Sequence, residues 1–463
     1  MQNINSAYKP SYYNYLLDNA DGTQIIYNTK TGAIDIVESE NKDKVKSILG
    51  GQQKYDSEDE LFAYMMEQGY VIDKEKSEID DIREWSEMAN NAENIANLTI
   101  LPTETCNFTC PYCFIYTFRD RHMTEDVYDN IFKYIKKFFE KNKEKEFCYL
   151  GLSWFGGEPL LVTNQIITFM YRIIELKKQY PNVTMKSEIT TNGYLLTYDI
   201  FEKLLDAGID KYQVTLDGDA DNHDKLRTLN GKRPTFDTIY KNVLDIKEKE
   251  DKDAQFIFVI RGNFLRSSIK NCEKLLQMYK QDLSDDNRFR IYFRPVYNFE
   301  TDRDDISEVE SDICGEEEGV AIQNRLSISS LDGTDNVLEK VSNPLPMPTQ
   351  AWCTSIKHNA HIIGYDGSIF SCDTMIVEKD KAIGILNTEG DIVLNKNAEI
   401  WKKSIFESQE RLGEMAEECI RCKLLPVCMG GCNRSRLMSG KNPCFWTDEL
   451  IYSAMKSYAE IYA

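Results

Sequence analysis

The sequence contains no apolar run long enough to span a bilayer, and its N-terminus lacks the basic stretch, apolar stretch and small-residue cleavage site of a secretory signal. We therefore expect a cytoplasmic protein without a membrane partner. Positive charge is also scarce, since 55 Lys and Arg residues face 76 Asp and Glu residues and leave a formal net charge of −21. Such a surface repels phosphate backbones, which argues against a nucleic-acid partner.

Length and cysteine content indicate the class of protein. A chain of 463 residues is too long for one ordinary core, so we expect roughly two to four domains. Disulfide frameworks are rare in the cytoplasm, and the 13 cysteines therefore favour metal or redox chemistry.

Residues 1–95 have the pattern of a small α+β module. Apolar runs and turn signals alternate over 11–38 and predict three short strands. Helical periodicity follows near 42–49 and 57–68, and 69–73 could form a closing strand. The order of elements resembles that of the winged-helix domains that recognise leader peptides by taking them up as an added strand. A plain packing domain would show the same pattern.

The remaining chain divides into three further segments. Residues 96–300 alternate between strand-like and helical stretches, which predicts a parallel sheet covered by helices, with function at the C-terminal ends of its strands. Six such units make a partial (β/α)6 barrel, so the expected fold class is α/β. Residues 301–345 are acidic and irregular and indicate a linker or insertion. Residues 346–463 form a domain rich in Cys and Gly that ends in an apolar helix.

Cys106, Cys110 and Cys113 stand within eight residues, directly after the first predicted barrel strand. A disulfide would use two of them and leave one, and a zinc site usually has four ligands. His122 is close in sequence, but a lone His more often serves packing or solvation. Three thiolates with an open fourth place would suit a metal that must also hold something other than protein.

The next predicted strands end in polar or glycine-rich loops. These loops contain Gly156, Gly157 and Glu158 in FGGEP, then TTNG at 190–193, then VTLDG at 214–218. Each could be an ordinary turn. Three in succession indicate a pocket for a polar small molecule.

In order and spacing, these motifs resemble those of the radical S-adenosylmethionine (SAM) superfamily. The resemblance implies that Cys106, Cys110 and Cys113 bind three irons of a [4Fe–4S] cluster and that SAM binds the fourth. It further implies that SAM is cleaved by one electron to methionine and a 5′-deoxyadenosyl radical, with the electron delivered by an external donor of flavodoxin or ferredoxin type.

The same resemblance implies roles for seven further residues. Gly156, Gly157 and Glu158 match the motif that holds the methionine amino group. The strand that usually meets the ribose carries Glu188, Thr190 and Asn192, although a glutamate is less usual there than a small polar residue. Arg227 would meet the SAM carboxylate, or would be a surface arginine on a helix.

A second set of cysteines lies near the C-terminus. Four of them could form a structural zinc site. The whole set resembles the SPASM domain, which holds one or two auxiliary [4Fe–4S] clusters, so three clusters are expected in total. By that pattern the ligands of the outer cluster are Cys419, Cys422, Cys428 and Cys444, and those of the inner cluster are Cys353, Cys372 and Cys432.

Two closed clusters need eight thiolates, and this set provides seven. The sulfatase-maturing relatives have an additional cysteine where this chain has Met347. Either Cys314 completes the inner cluster, or one iron is open to a substrate thiolate. Asp373 occupies the place of the proposed general base of those relatives, although an aspartate in a surface turn is a simpler explanation.

Three functions are open at this point. The first is a peptide maturase that binds the leader of a ribosomally made precursor and installs a cross-link, for which a thioether is expected. The second is an anaerobic sulfatase-maturating enzyme that forms formylglycine; Asp373 favours it, whereas Met347 and the N-terminal module do not. The third is a zinc-containing binding scaffold. The motif order favours the first.

Overall fold

The computed structural model describes residues 7–50, 58–115, 120–229, 233–299, 306–331, 345–351 and 353–462. The described residues form two compact units. The first unit combines residues from 1–91, 342–357 and 403–463, and the second combines residues from 92–341 and 358–402. The four predicted segments therefore do not map one-to-one onto the units.

The N-terminal part of the chain forms two small sheets and three helices. Its elements are β1 (Tyr8–Pro10), β2 (Asn14–Asp18), β3 (Gln24–Asn28), β4 (Ile34–Val37), α1 (Lys42–Leu49), α2 (Glu60–Glu67), β5 (Val71–Asp73) and α3 (Glu78–Asn90). Strands β2, β3 and β4 form an antiparallel sheet in chain order, as the alternation of apolar runs and turns predicts. The closing strand β5 pairs instead with β1.

The second unit is built on six parallel strands that are neighbours in chain order, which confirms the predicted α/β fold. Its elements are β6 (Ile95–Ile100), α4 (Glu125–Asn142), β7 (Cys148–Trp154), α5 (Thr163–Lys177), β8 (Val183–Thr191), α6 (Tyr198–Asp206), β9 (Lys211–Thr215), α7 (Ala220–Leu226), α8 (Phe236–Lys249), β10 (Ile257–Phe264), α9 (Ile269–Asp282) and β11 (Phe289–Pro295).

Side chains alternate between the two faces of this sheet, as the strand period requires. On β7, Leu150, Leu152 and Trp154 are buried, whereas Ser153 is only half-buried. The half-buried positions of the neighbouring strands include the polar residues Glu188 on β8 and Gln213 on β9 as well as apolar residues. This face of the sheet therefore offers polar side chains to a site.

Segment 301–345, predicted to be an irregular linker or insertion, is largely helical among its described residues. Helices α10 (Ser307–Glu310) and α11 (Glu316–Leu331) occupy it, and α11 lies against β11. Val309 packs with Leu265 and Val296 in a small apolar cluster. The acidic composition predicted an irregular segment. A few apolar residues are nevertheless enough to pack it against the rest of its unit.

Four short strands continue the sheet beyond β6. They are β12 (Ala360–Ile363), β13 (Ser368–Phe370), β14 (Gly384–Leu386) and β15 (Ile392–Leu394). Strand β12 pairs in parallel with β6, and the others follow antiparallel, so the complete sheet has ten strands. Cys372 therefore follows a strand of the same sheet that carries the first cysteine loop.

The C-terminal part adds α12 (Ala398–Trp401), α13 (Gln409–Leu412), α14 (Glu414–Ile420), α15 (Leu425–Cys428), α16 (Asn433–Ser439) and α17 (Asp448–Tyr462). From α13 onward these helices share two apolar clusters with the N-terminal strands. One contains Tyr15 and Tyr27 with Val427 and Met455, and the other contains Tyr13 with neighbours of α13 to α15. Among the described helices, none is long and apolar enough to cross a membrane.

Candidate functional site

The three-cysteine loop begins at the C-terminal end of β6, as predicted. The Phe108 amide donates to Cys106 Sγ at 3.4 Å. The Cys113 amide donates to the Cys110 carbonyl at 3.2 Å. Cys110 is buried, whereas Cys106 and Cys113 are half-buried. The loop thus presents three thiols at the edge of the sheet where active sites of such folds lie.

Gly156 and Gly157 allow the end of β7 to approach this loop. A Cβ on Gly157 would lie 2.2 Å from the Thr105 carbonyl oxygen, and one on Gly156 would lie 2.5 Å from that of Thr103. The Gly157 amide donates to the Thr103 carbonyl at 3.0 Å. The two glycines therefore set the close packing between β7 and the loop that leads to Cys106.

Glu158 connects the ends of two neighbouring strands. Its carboxylate is fully buried and accepts hydrogen bonds from the Thr191 hydroxyl at 2.6 Å, the Asn192 amide at 2.7 Å and the Leu160 amide at 3.0 Å. Burial raises the pKa of Glu158, and these hydrogen bonds oppose the rise. The carboxylate thus fixes the end of β8 beside the end of β7.

The residues predicted to meet a ribose lie on β8 and its end. Asn192 reaches the cysteine loop, where Nδ2 donates to Asn107 Oδ1 at 2.7 Å and lies 4.0 Å from Cys106 Sγ. Thr190 accepts from Gln213 at 3.4 Å. Glu188 pairs with Lys211 at 2.7 Å and accepts from the Ser153 hydroxyl at the same distance. Only Asn192 directly contacts the loop.

Arg227 is buried against the cysteine loop rather than on the surface. Its Nη1 donates to the Tyr112 hydroxyl at 2.7 Å and lies 3.8 Å from Asp217 Oδ2, and its guanidinium lies 5.9 Å from the centre of the Phe108 ring. Its Nε has no hydrogen-bond partner among the described residues. A buried cation with a donor left over is suited to an anionic group of a ligand.

Tyr112 and Asp217 are site residues that we did not single out from the sequence. The Tyr112 hydroxyl donates to Asp217 Oδ2, and Asp217 Oδ1 accepts from the Asn263 amide at 3.0 Å. Burial raises the pKa of Asp217, and the Arg227 charge opposes the rise. The signal was present in the cysteine motif, which contains Tyr112, and in VTLDG, which contains Asp217.

Cys372 and Asp373 follow β13 in the same sheet. Cys372 Sγ lies 3.1 Å from the Thr374 hydroxyl and 3.6 Å from Asp373 Oδ1. Burial raises the pKa of the Asp373 carboxyl, whereas the Cys372 thiol and the Arg261 charge oppose the rise. Asp373 is half-buried and begins a short helical turn, Asp373–Met375, so its carboxyl is partly shielded from water.

The cysteines of the first unit form two groups. Burial raises the pKa of Cys428 to about 12, and the charges of Cys422, Cys419 and Cys444 add to the rise, so these four thiols lie in one neighbourhood. Cys353 similarly adds to the raised pKa of Cys432. Within the described ranges, no three Cys, His, Asp or Glu side chains are arranged to hold a metal ion. The donors in each group are thiols, and this donor chemistry fits iron–sulfur clusters.

The chain matches one family model and several known proteins. The model of the radical SAM superfamily matches residues 100–265. A cysteine-type anaerobic sulfatase-maturating enzyme from Clostridium perfringens is 23% identical over 360 residues, which cover 73% of this chain and 89% of that enzyme. The radical SAM cyclopropyl synthase TigE from Paramaledivibacter caminithermalis is 28% identical over 212 residues, 43% of each protein.

Two solved structures share the fold. Native anSMEcpe with bound AdoMet superposes with a TM-score of 0.54 at 19% identity and covers 79% of this chain and 96% of its own. Streptococcus suis SuiB bound to the precursor peptide SuiA superposes with a TM-score of 0.50 at 16% identity and covers 96% of this chain and 99% of its own.

Proposed function

The chain is a radical SAM enzyme related to the SPASM-type maturases, and we propose that its substrate is a ribosomally made precursor peptide in which it installs a thioether cross-link. The observation that carries the radical chemistry is the position of Cys106, Cys110 and Cys113 at the end of β6, with Asn192 and Arg227 against the same loop. A [4Fe–4S] cluster on these thiolates, together with SAM, would supply a 5′-deoxyadenosyl radical for hydrogen abstraction from carbon.

The surrounding residues would provide contacts to a bound SAM. Arg227 offers a buried positive charge and a free Nε–H for the carboxylate of SAM. Asn192 offers a side-chain amide beside Cys106. Glu158 would support the methionine amino group mainly indirectly. Its oxygens already accept three protein hydrogen bonds, and these fix the end of β8. Thr190 and Glu188 on β8 would face the ribose.

The N-terminal module supports a peptide substrate. Strand β4 is an outer strand of the three-stranded sheet, and an outer strand can accept a peptide as an additional strand. The SuiB structure contains a precursor peptide, and its fold extends over 96% of this chain. A leader peptide bound along β4 would deliver the remainder of the precursor to the barrel.

The thioether is favoured by the number of cysteines in the second set. Seven cysteines leave one of two auxiliary clusters one protein ligand short, and an open iron could hold a substrate thiolate. Bond formation would then join that sulfur to the carbon from which hydrogen was removed. The second electron released would pass to the auxiliary cluster, and an external flavodoxin or ferredoxin would provide the electron that cleaves SAM.

Formylglycine formation is the second candidate. It is favoured by the similarity to the Clostridium perfringens enzyme over 89% of that enzyme, and by the shielded carboxyl of Asp373, which could serve as a general base. On this reading the substrate is a sulfatase peptide that contains the cysteine to be oxidised.

One experiment distinguishes the two. The reconstituted enzyme is incubated anaerobically with SAM, reductant and either a precursor peptide encoded beside its gene or a cysteine-containing sulfatase peptide. A thioether is detected by mass spectrometry as loss of two hydrogens together with a thiol that no longer alkylates. An aldehyde that reacts with a hydrazine probe would instead establish formylglycine. If neither product is formed, both proposals are contradicted.

A further inference from the structure

Residues next to the N-terminal strands contact the end of α14 and the turn after it, which carry Cys419 and Cys422 and which we call the Cys419–Cys422 loop. The Tyr12 hydroxyl donates to the Arg421 carbonyl at 2.7 Å, and the Thr29 hydroxyl donates to the Lys423 carbonyl at 2.6 Å. These two carbonyls belong to the residues on either side of Cys422. Thr29 is fully buried, so water cannot replace its hydrogen bond.

The same strands hold the Lys423 ammonium group. Its Nζ donates to the Asn14 carbonyl at 3.2 Å. It lies 5.7 Å from the centre of the Tyr12 ring and 5.4 Å from that of Tyr15, where the ring faces attract a cation. A positive charge is thereby fixed one residue beyond Cys422.

Both cysteines pack against apolar clusters that contain N-terminal side chains. Cys422 packs against the cluster of Tyr15 and Tyr27, and Cys419 packs against the cluster of Tyr13. The backbone around Cys422, the charge beside it and the packing of both thiols therefore depend on residues about 400 positions earlier in the chain.

We propose that the N-terminal module positions the Cys419–Cys422 loop and thereby sets both the retention and the reduction potential of the outer auxiliary cluster. This inference rests on the proposed function, because it takes these cysteines to be cluster ligands. Groups that orient thiolate ligands or place charge near them tune metal affinity and cluster potential. Tyr12, Thr29 and Lys423 would act as positioning residues, since their contacts fix the backbone and the charge beside Cys422.

The first test measures iron retention in the full chain. A variant with Thr29→Val and Tyr12→Phe removes both hydroxyl donors and keeps the side-chain shapes. In the matched control, Thr31→Val and Tyr64→Phe remove hydroxyls that donate to the Gln68 carbonyl and to Asp35 within the same module. The double variant should release about four irons per chain to a chelator roughly tenfold faster than the wild type, and the control should not.

Folding and assignment are checked separately. Thr29→Ser keeps the hydroxyl and should retain iron as the wild type does. A variant that merely misfolds would lose iron instead. If the double variant releases iron like the control, the inference is wrong. If Cys422→Ala retains as much iron as the wild type, no cluster is bound there, and the proposed outer cluster fails together with the inference.

The second test measures electrochemistry. Lys423→Met removes the charge beside Cys422 and keeps the length of the side chain. The outer cluster should then reduce at a more negative potential in an EPR-monitored titration, because the reduced cluster has lost a neighbouring cation. Lys30→Met is the control, since Lys30 pairs with Asp81 in the same module. An unchanged potential with Lys423→Met would contradict the inference.

Discussion

Arg227 donates a hydrogen bond from Nη1 to the hydroxyl oxygen of Tyr112 at 2.7 Å. Tyr112 stands between the second and third cysteines of the loop, and its own hydroxyl hydrogen is donated to Asp217. The proposed ligand of the SAM carboxylate is therefore oriented by a residue of the cysteine loop and by the end of β9. Three separate parts of the chain meet in this buried group.

The first prediction concerns Tyr112→Phe, which removes the hydroxyl that orients Arg227. SAM should bind about tenfold more weakly, because a hydrogen bond to a charged group is lost. Iron content should not change. The measurement is a SAM titration of the reduced enzyme followed by EPR. Tyr240→Phe is the matched control, because it also removes a buried hydroxyl that donates to an aspartate, Asp282. Equal SAM affinity in both variants would contradict the role of Tyr112.

A second prediction tests the close approach at Gly157. Gly157→Ala places a methyl group 2.2 Å from the Thr105 carbonyl, so the loop that leads to Cys106 must move. The variant should lose about four irons per chain and about 1–3 kcal/mol of stability. Gly315→Ala is the control, since a methyl group there would have no atom within 4 Å. Full iron content in Gly157→Ala would show that the loop tolerates displacement.

A third prediction concerns Glu158→Gln. The carboxylate accepts three hydrogen bonds, and an amide group can offer only one oxygen to those donors. One buried donor would lose its acceptor, which costs about 1–3 kcal/mol. The midpoint of thermal unfolding should fall, and SAM affinity should fall with it because Asn192 is no longer fixed. An unaltered midpoint would mean that the three hydrogen bonds contribute little.

The pH dependence of stability should depend on His361, which is buried on β12. Burial lowers its pKa well below 6.5, so the unfolded chain binds a proton that the folded chain excludes. Stability should therefore decrease as the pH falls below 6.5. His361→Phe removes this proton uptake, and its thermal midpoint should change less steeply with pH than that of the wild type. Parallel profiles would contradict the assignment.

Much of the parallel sheet from β6 to β11 could be predicted, because most of its strands and helices are long enough to show their own periodicity. The cysteine loop, the glycine pair and Glu158 were also recognisable as local motifs. Short elements were not: β12 to β15 have three or four residues each, and they join the sheet because β12 pairs with β6 and the other three follow in turn. Hydrophobic periodicity cannot identify a strand in a run of only three or four residues.

Contacts between distant parts of the chain account for the remaining differences. The burial of Arg227 depends on Tyr112, which lies 115 residues earlier. The support of the Cys419–Cys422 loop depends on Tyr12, which lies 409 residues before Arg421. Neither relationship has a signature within a sequence window, because tertiary packing and not local propensity brings these residues together.

The most direct measurement is iron, sulfide and 5′-deoxyadenosine formation on anaerobically purified protein, compared with a variant in which Cys106, Cys110 and Cys113 are Ala. The wild type should contain about twelve irons per chain and cleave SAM when reduced, and the variant should contain about eight and cleave none. Colourless protein that contains zinc and no sulfide after anaerobic reconstitution would contradict the radical SAM assignment.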